Sequence, residues 1–168
     1  MNDEMKELLE SFRKGNVPML QFMKSMKELK ERTGEPEHDI RLGKAVVAGR
    51  HRHTEGRDLM AIILEAYGFR TVVVERDSSV IDIVDLCMDP EVTVLCMSIQ
   101  TTYDIPDLKE AVELMTENGI RDRIVFNAGG VAISERVSQE IGCDVFERTA
   151  VDSAESISEE VLRRSSVL

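Results

Sequence analysis

Two histidines and a glycine near residue 50 are the residues whose types and spacing best suit metal chemistry in this chain. His51 and His53 precede Gly56, and all three follow a short apolar run. A neutral imidazole is the commonest side-chain ligand of a transition metal, and a glycine lets a bulky planar ligand approach the backbone closely. The segment therefore indicates a site for a planar, metal-containing ligand. Two other interpretations stay open, namely a polar surface loop with solvated histidines and a small histidine site for another metal.

Hydroxyl and amide side chains form a second group of candidates, and a glycine pair forms a third. Ser98 and Gln100 follow another apolar run, Thr102 continues the same loop, and Gly129 and Gly130 follow a third run. A hydroxyl both donates and accepts hydrogen bonds, and a glycine pair before a helix lets a heterocycle or a phosphate lie against bare backbone. Taken singly, these residues are explained equally well as ordinary turn residues.

The elements that must position these residues alternate between strand and helix from Lys44 onward. Predicted strands cover 45–48, 71–74, 92–97, 124–126 and 145–146, and predicted helices cover 58–67, 78–86, 105–117, 131–141 and 153–162. This alternation implies right-handed crossovers and a parallel sheet with helices on both faces. We expect a five-stranded, flavodoxin-like (Rossmann-like) α/β sheet of order 2-1-3-4-5, with a ligand crevice where strands 1 and 3 end.

All three candidate segments follow the end of a predicted strand. Between Gly56 and Ser98 lie 41 residues, and between Gln100 and Gly129 lie 28 residues. Ligands of open parallel sheets bind at the carboxyl ends of the strands. The sequence therefore predicts that three distant segments meet in one binding site.

The first 40 residues form a separate unit in this prediction, and residues 41–168 form the α/β domain. Two apolar stripes at helical spacing, in residues 3–14 and 19–29, are separated by a Gly-Asn-Val-Pro break and followed by a polar linker at 33–39. A pair of short helices buries its apolar faces poorly alone. We expect either a homodimer, in which two copies close a four-helix bundle, or docking of both helices on the chain's own sheet domain.

The composition narrows the classes of partner and location. The chain is 42% apolar and 32% charged, with a net charge of −11. This acidity argues against nucleic acid and anionic membranes as partners. No apolar run is long enough for a membrane span, and the N-terminus lacks the pattern of a secretory signal. The three cysteines have no pairing motif and fit the reduced thiols of a cytoplasmic protein.

Together, the three segments resemble the signature of the cobalamin-binding domain family, which reads Asp-x-His-x-x-Gly, then Ser-x-Leu, then Gly-Gly, at similar separations. Here His51 replaces the Asp and Gln100 replaces the Leu. The resemblance covers about residues 20 to 165. It is closest to the corrinoid methyl-carrier proteins, in which a four-helix cap precedes the cobalamin domain. The two predicted N-terminal helices would be half of that cap.

The resemblance implies a role for each matching residue. His53 would be the lower axial ligand of cobalt, in place of the cofactor's own dimethylbenzimidazole. His51 stands where the family has the carboxylate that orients this ligand. Ser98 and Thr102 would hydrogen-bond the buried nucleotide tail of the cofactor. The full set of cofactor-binding residues expected from the resemblance is His51, His53, Gly56, Ser98, Gln100, Thr102, Gly129 and Gly130, with His53 as the metal ligand.

The implied function is that of a corrinoid (cobalamin-binding) protein that carries a methyl group between partner methyltransferases. The cofactor supplies the chemistry, and the protein supplies binding, axial ligation and a dry pocket. The chain would be a carrier subunit of a corrinoid-dependent methyltransferase system. Three alternatives stay open: a cobalamin or tetrapyrrole sensor, the small subunit of a cobalamin-dependent mutase, and a degenerate domain that binds no cobalamin.

Overall fold

The architecture is a parallel β-sheet with helices on both faces. It is taken from a computed structural model that describes residues 1–50 and 52–167, so that His51 and Leu168 lie outside the described residues. In chain order the elements are α1 (Asp3–Arg13), α2 (Met19–Thr33), β1 (Lys44–Gly49), α3 (Glu55–Tyr67), β2 (Arg70–Val73), α4 (Val80–Leu86), β3 (Val92–Ser98), a 3-10 turn (Thr102–Asp104), α5 (Ile105–Glu117), β4 (Val125–Gly129), α6 (Glu135–Ile141) and α7 (Ala150–Ser165).

The sheet has the strand order β2-β1-β3-β4, and all three strand pairs are parallel. The two central strands are buried almost along their whole length, because each is a continuous apolar run with a helical layer on either side. The predicted α/β class and the order of the first four strands are therefore confirmed.

The predicted fifth strand is wrong. Within the described residues the sheet has four strands, and Val145 forms only an isolated parallel bridge with Asn127. Side chains occupy the hydrogen-bonding groups that a fifth strand would use. The Phe126 N–H donates to the carboxylate of Asp144 at 2.7 Å, and the Asn127 amide donates to the Val145 carbonyl at 3.0 Å. A single backbone hydrogen bond, from Asp144 N to the Phe126 carbonyl at 2.8 Å, accompanies these side-chain bonds, and they stand in place of a continued backbone ladder.

Two apolar clusters cover the two faces of the sheet. One joins β1 and β3 to α3 and α7, and the other packs α4, α5 and α6 against the opposite face. The helices α1, α4, α6 and α7 each follow a residue whose side chain accepts a hydrogen bond from a backbone N–H of the first turn. Ser134 accepts from Val137 N before α6, so that α6 begins four residues later than predicted. Thr149 accepts from Asp152 N before α7, so that α7 begins three residues earlier than predicted.

No helix within the described residues is both long and apolar enough to cross a membrane.

The two N-terminal helices dock on the chain's own sheet domain. Their buried side chains, Met5, Leu9, Phe22, Met26 and Leu29, belong to the same apolar cluster as α3 and α7. Burial of each large side chain contributes about 1.5–3 kcal/mol. The Arg13 guanidinium fixes α1 to α7 through Asp152 at 3.2 Å and Glu155 at 2.8 Å. Of the two arrangements expected for these helices, this is intramolecular docking.

Candidate functional site

Strand register brings the three signature segments to one edge of the sheet. Gly49, the last residue of β1, is the Cα partner of Ser98, and Ser98 is the partner of Gly129. The three strands therefore end level with one another. The segments that follow them, which begin at residues 50, 99 and 130, leave the sheet side by side.

The loop after β1 is short and closely tied to the domain. His53 N donates a hydrogen bond of 3.3 Å to the Arg50 carbonyl. The Arg50 guanidinium, 13% exposed, donates to Asp107 at 2.7 Å and to the Ser78 carbonyl at 2.8 Å. The His53 side chain is exposed at this edge of the sheet, whereas His51, the other predicted residue of the loop, lies outside the described residues.

Gly56 sits in the first turn of α3, directly against the end of β3. A Cβ atom at this position would collide with the Ser98 hydroxyl and would crowd the Gln100 amide. That amide donates to Ser98 Oγ at 3.2 Å. Gly56, Ser98 and Gln100 therefore form one contact, and glycine is required there because it alone lets the helix approach so closely.

The two glycines after β4 have different structural roles. Gly130 has a φ of +107°, and a Cβ there would collide with the Ile99 carbonyl. At Gly129, a Cβ would meet no atom within 4 Å. Gly130 is therefore needed for the fold, whereas Gly129 leaves an open space beside Ser98.

A narrow cleft and a broad basin meet at these residues. The cleft has a volume of about 170 Å³ and reaches down between β3, β4 and the first turn of α7. The basin has a volume of about 890 Å³ and is open to solvent. The cleft is lined by Val47, Gly56, Leu59, Met60, Cys96, Met97, Ser98, Gln100, Asn127, Gly129, Gly130, Glu147, Arg148, Thr149, Ala150 and Ser153. The basin is lined by Met19, Leu20, His53, Glu55, Gly56, Gln100, Gly129, Gly130, Val131, Ile133, Phe146, Glu147 and Arg148.

The cleft and the basin differ in polarity. Hydroxyl groups of Ser98, Thr149 and Ser153 line the cleft together with the Cys96 thiol. Burial raises the pKa of that thiol well above its usual range, so that it stays protonated. The basin carries the ionisable groups of His53, Glu55, Glu147 and Arg148 beside apolar side chains from α2 and from the chain that follows β4. Among the described residues, no group of three or more His, Cys, Asp or Glu side chains could hold a metal ion.

Six of the eight predicted cofactor-binding residues meet at the cleft and the basin. They are His53, Gly56, Ser98, Gln100, Gly129 and Gly130. Thr102 does not join them, because it is exposed in the 3-10 turn and lines neither cavity. The eighth, His51, lies outside the described residues.

Sequence reasoning missed the segment that leads into α7 and the first turn of that helix. Arg148, Thr149 and Ser153 line the cleft, but this stretch follows the strand that the sheet lacks. A signal was present, since Thr149 and Asp152 have the spacing of a helix N-cap and its third residue. Their side chains do pair, with Thr149 Oγ1 donating to Asp152 at 2.6 Å.

Comparison with known proteins identifies related sequences, although no model of a known protein family matches the chain. The chain is 23% identical over 107 residues to dimethylamine corrinoid protein 3 of Methanosarcina mazei, which covers 64% of this chain and 64% of that protein. It is 26% identical over 100 residues to trimethylamine corrinoid protein 1 of Methanosarcina acetivorans, which covers 60% of this chain and 46% of that protein. The matched part is thus less than two thirds of the length of either relative.

Solved structures share the fold at low sequence identity. A cobalamin-binding protein from Desulfitobacterium hafniense DCB-2 matches 92% of this chain and 77% of its own, with a TM-score of 0.74 and 22% identity. The methanol:cobalamin methyltransferase complex MtaBC from Methanosarcina barkeri matches 94% of this chain and 63% of its own, with a TM-score of 0.76 and 20% identity. The resemblance to corrinoid proteins that the sequence predicts is confirmed by these relatives and neighbours.

Proposed function

We propose that this chain, as a relative of corrinoid proteins, binds a corrinoid cofactor and carries a methyl group between partner methyltransferases. The observation that carries the proposal is the meeting of the signature segments at one edge of the sheet, where a narrow cleft opens into a broad basin. The chain matches only part of its curated relatives, so its activity and partners are inferred by analogy with theirs.

The shapes of the two cavities fit such a cofactor. A planar macrocycle needs a broad, shallow surface, and the nucleotide arm of a cobalamin needs a narrow, deep one. Gly129 supports this assignment, because the space beside its Cα is empty and a side chain there would fill the cleft. We assign the arm to the cleft, with Ser98 and Gln100 as its polar contacts, and the macrocycle to the basin.

The residues that would hold the metal are those of the loop after β1. His53 is exposed on the wall of the basin, and its imidazole is of the right chemical type for cobalt. When bound, the corrinoid would supply the cobalt chemistry of methyl transfer. The chain's own residues would position the ring, ligate its lower face and exclude water from the cleft. His51 remains the proposed orienting residue.

The proposal also covers the division of the chain into two units and a homodimer through the first unit. Residues 1–40 and 41–168 are proposed as a helical unit and a cofactor domain that pack together. Because the apolar faces of α1 and α2 are already buried in the same chain, these helices need no second copy to be stable. A homodimer through them stays a prediction that light scattering on the full chain tests, and so does the cytoplasmic location.

Reconstitution tests the proposal directly. The purified chain is incubated with hydroxocobalamin, desalted and examined by absorbance spectroscopy, with heat-denatured chain as the control for non-specific retention. We expect retained colour at a stoichiometry near one cofactor per chain. A native protein that emerges colourless from the column would contradict corrinoid binding and leave the degenerate domain as the interpretation.

A further inference from the structure

Arg148 is a cation that lines both the cleft and the basin. Throughout residues 1–50 and 52–167, its side chain has no hydrogen bond or ion pair. Two other arginines near this edge are engaged, since Arg50 pairs with Asp107 and Arg57 pairs with Asp58. Arg148 is exposed at the rim of the two cavities, and no hydrogen bond or ion pair ties its side chain to another element within the described residues.

The surroundings of Arg148 favour an anionic ligand at the mouth of the cleft. Arg148 lies two residues before α7, whose N-terminus carries the positive end of the helix dipole. Its neighbour Glu147 lines the same two cavities, but its carboxylate already accepts a hydrogen bond of 2.9 Å from the Ser156 hydroxyl. Guanidinium groups present two parallel N–H donors that match the oxygens of a phosphate.

We propose that Arg148 binds the phosphodiester of the nucleotide arm and makes the chain selective for complete corrinoids over corrinoids that lack the nucleotide. This inference rests on the proposed function, because it takes the cleft as the place of the arm. The phosphodiester joins the arm to the macrocycle, and Arg148 occupies the matching position where the cleft joins the basin. In a chain of net charge −11, attraction of an anion must come from such a local cation and not from the overall field.

The test compares two corrinoids on the full-length chain. Dissociation constants for hydroxocobalamin and for cobinamide, which has no nucleotide or phosphodiester, are measured by equilibrium dialysis with cofactor absorbance as the readout. Wild type should bind hydroxocobalamin more tightly. Arg148→Gln should weaken hydroxocobalamin binding about tenfold to a hundredfold and leave cobinamide binding unchanged. The affinity of Arg148→Lys for hydroxocobalamin should lie between those of wild type and Arg148→Gln, because an ammonium keeps the charge but lacks the two parallel N–H donors of a guanidinium.

Arg136→Gln is the matched control. Arg136 is exposed on α6, pairs with Glu140 at 2.9 Å and lines neither cavity, so both dissociation constants should stay at the wild-type value. Equal weakening of both corrinoids by Arg148→Gln, or no change in either, would overturn the inference, as would wild type with equal affinity for the two. A wild type that binds neither corrinoid would instead remove the proposed function itself.

Discussion

The two edges of the sheet differ in how their charged residues are used. At the amino ends of the strands, charges are paired: Lys44 contacts Asp89 and Glu91, each at 2.7 Å, and Arg121 contacts Asp144 at 2.9 Å. At the carboxyl ends, Arg50 and Arg57 are also paired, whereas Arg148 at the mouth of the cleft has no partner within the described part of the chain.

The difference separates residues that stabilise the fold from residues that are free to bind. A charge already satisfied by protein groups gains little from a ligand, whereas an unpaired one at a cavity mouth gains a full charge-assisted bond. Ion pairs at the amino-end edge should therefore affect stability alone. Substitutions in the cleft should affect corrinoid binding alone.

Filling the cleft should have the largest effect on binding. Gly129→Val places a side chain in the empty space beside Ser98, where overpacking against a bound arm should weaken hydroxocobalamin binding about a hundredfold. The melting temperature should change little, because Gly129 ends β4 in an ordinary backbone conformation that valine tolerates. Gly129→Ala should give a smaller loss in the same dialysis assay. If Gly129→Val binds like wild type with its fold intact, the arm does not occupy the cleft.

Removal of Asp144 should have the largest effect on stability. Its carboxylate, 19% exposed, accepts from Phe126 N and pairs with Arg121 and Arg164. Asp144→Ala should cost about 2–3 kcal/mol and lower the melting temperature by about 5–10 °C, as calorimetry would show. Asp144→Asn keeps an acceptor for Phe126 N and should cost less. Corrinoid affinity of the folded variants should equal that of wild type, and a matching loss of affinity would contradict the separation of the two edges.

The sequence predicted the sheet better than it predicted the cleft. Apolar runs such as 92–97 are bounded by turn residues, so the parallel sheet followed from the alternation of strands and helices, and the strand order from the expected flavodoxin-like fold. The fifth strand failed because Asp144 supplies a side-chain acceptor where a backbone carbonyl was expected, which no periodicity reveals. Arg148 and Thr149 were missed for the same reason, since their place at the cleft depends on where α7 begins.

Loss of the proposed axial ligand, His53, tests the exposed half of the site. His53→Ala should abolish the nitrogen superhyperfine splitting of the cobalt(II) form in spin resonance and weaken hydroxocobalamin binding about tenfold. Labelling the protein with ¹⁵N should change the wild-type splitting, which distinguishes a protein imidazole from the cofactor's own base. His38→Ala, in the linker before β1, is the matched control and should leave the spectrum unaltered. Persistence of the splitting in His53→Ala would assign the ligand elsewhere.

The smallest effect should come from Gln100, where the chain departs from the Leu of the family signature. Gln100→Leu removes the 3.2 Å hydrogen bond to Ser98 Oγ but keeps the volume of the side chain at the junction of cleft and basin. One neutral hydrogen bond lost in a half-buried site should weaken hydroxocobalamin binding about threefold. Thr102→Val, outside both cavities, should leave the dissociation constant unchanged. If Thr102→Val lowers the affinity for hydroxocobalamin as much as Gln100→Leu does, Thr102 is part of the binding site. The loop after β3 would then close over the bound cofactor.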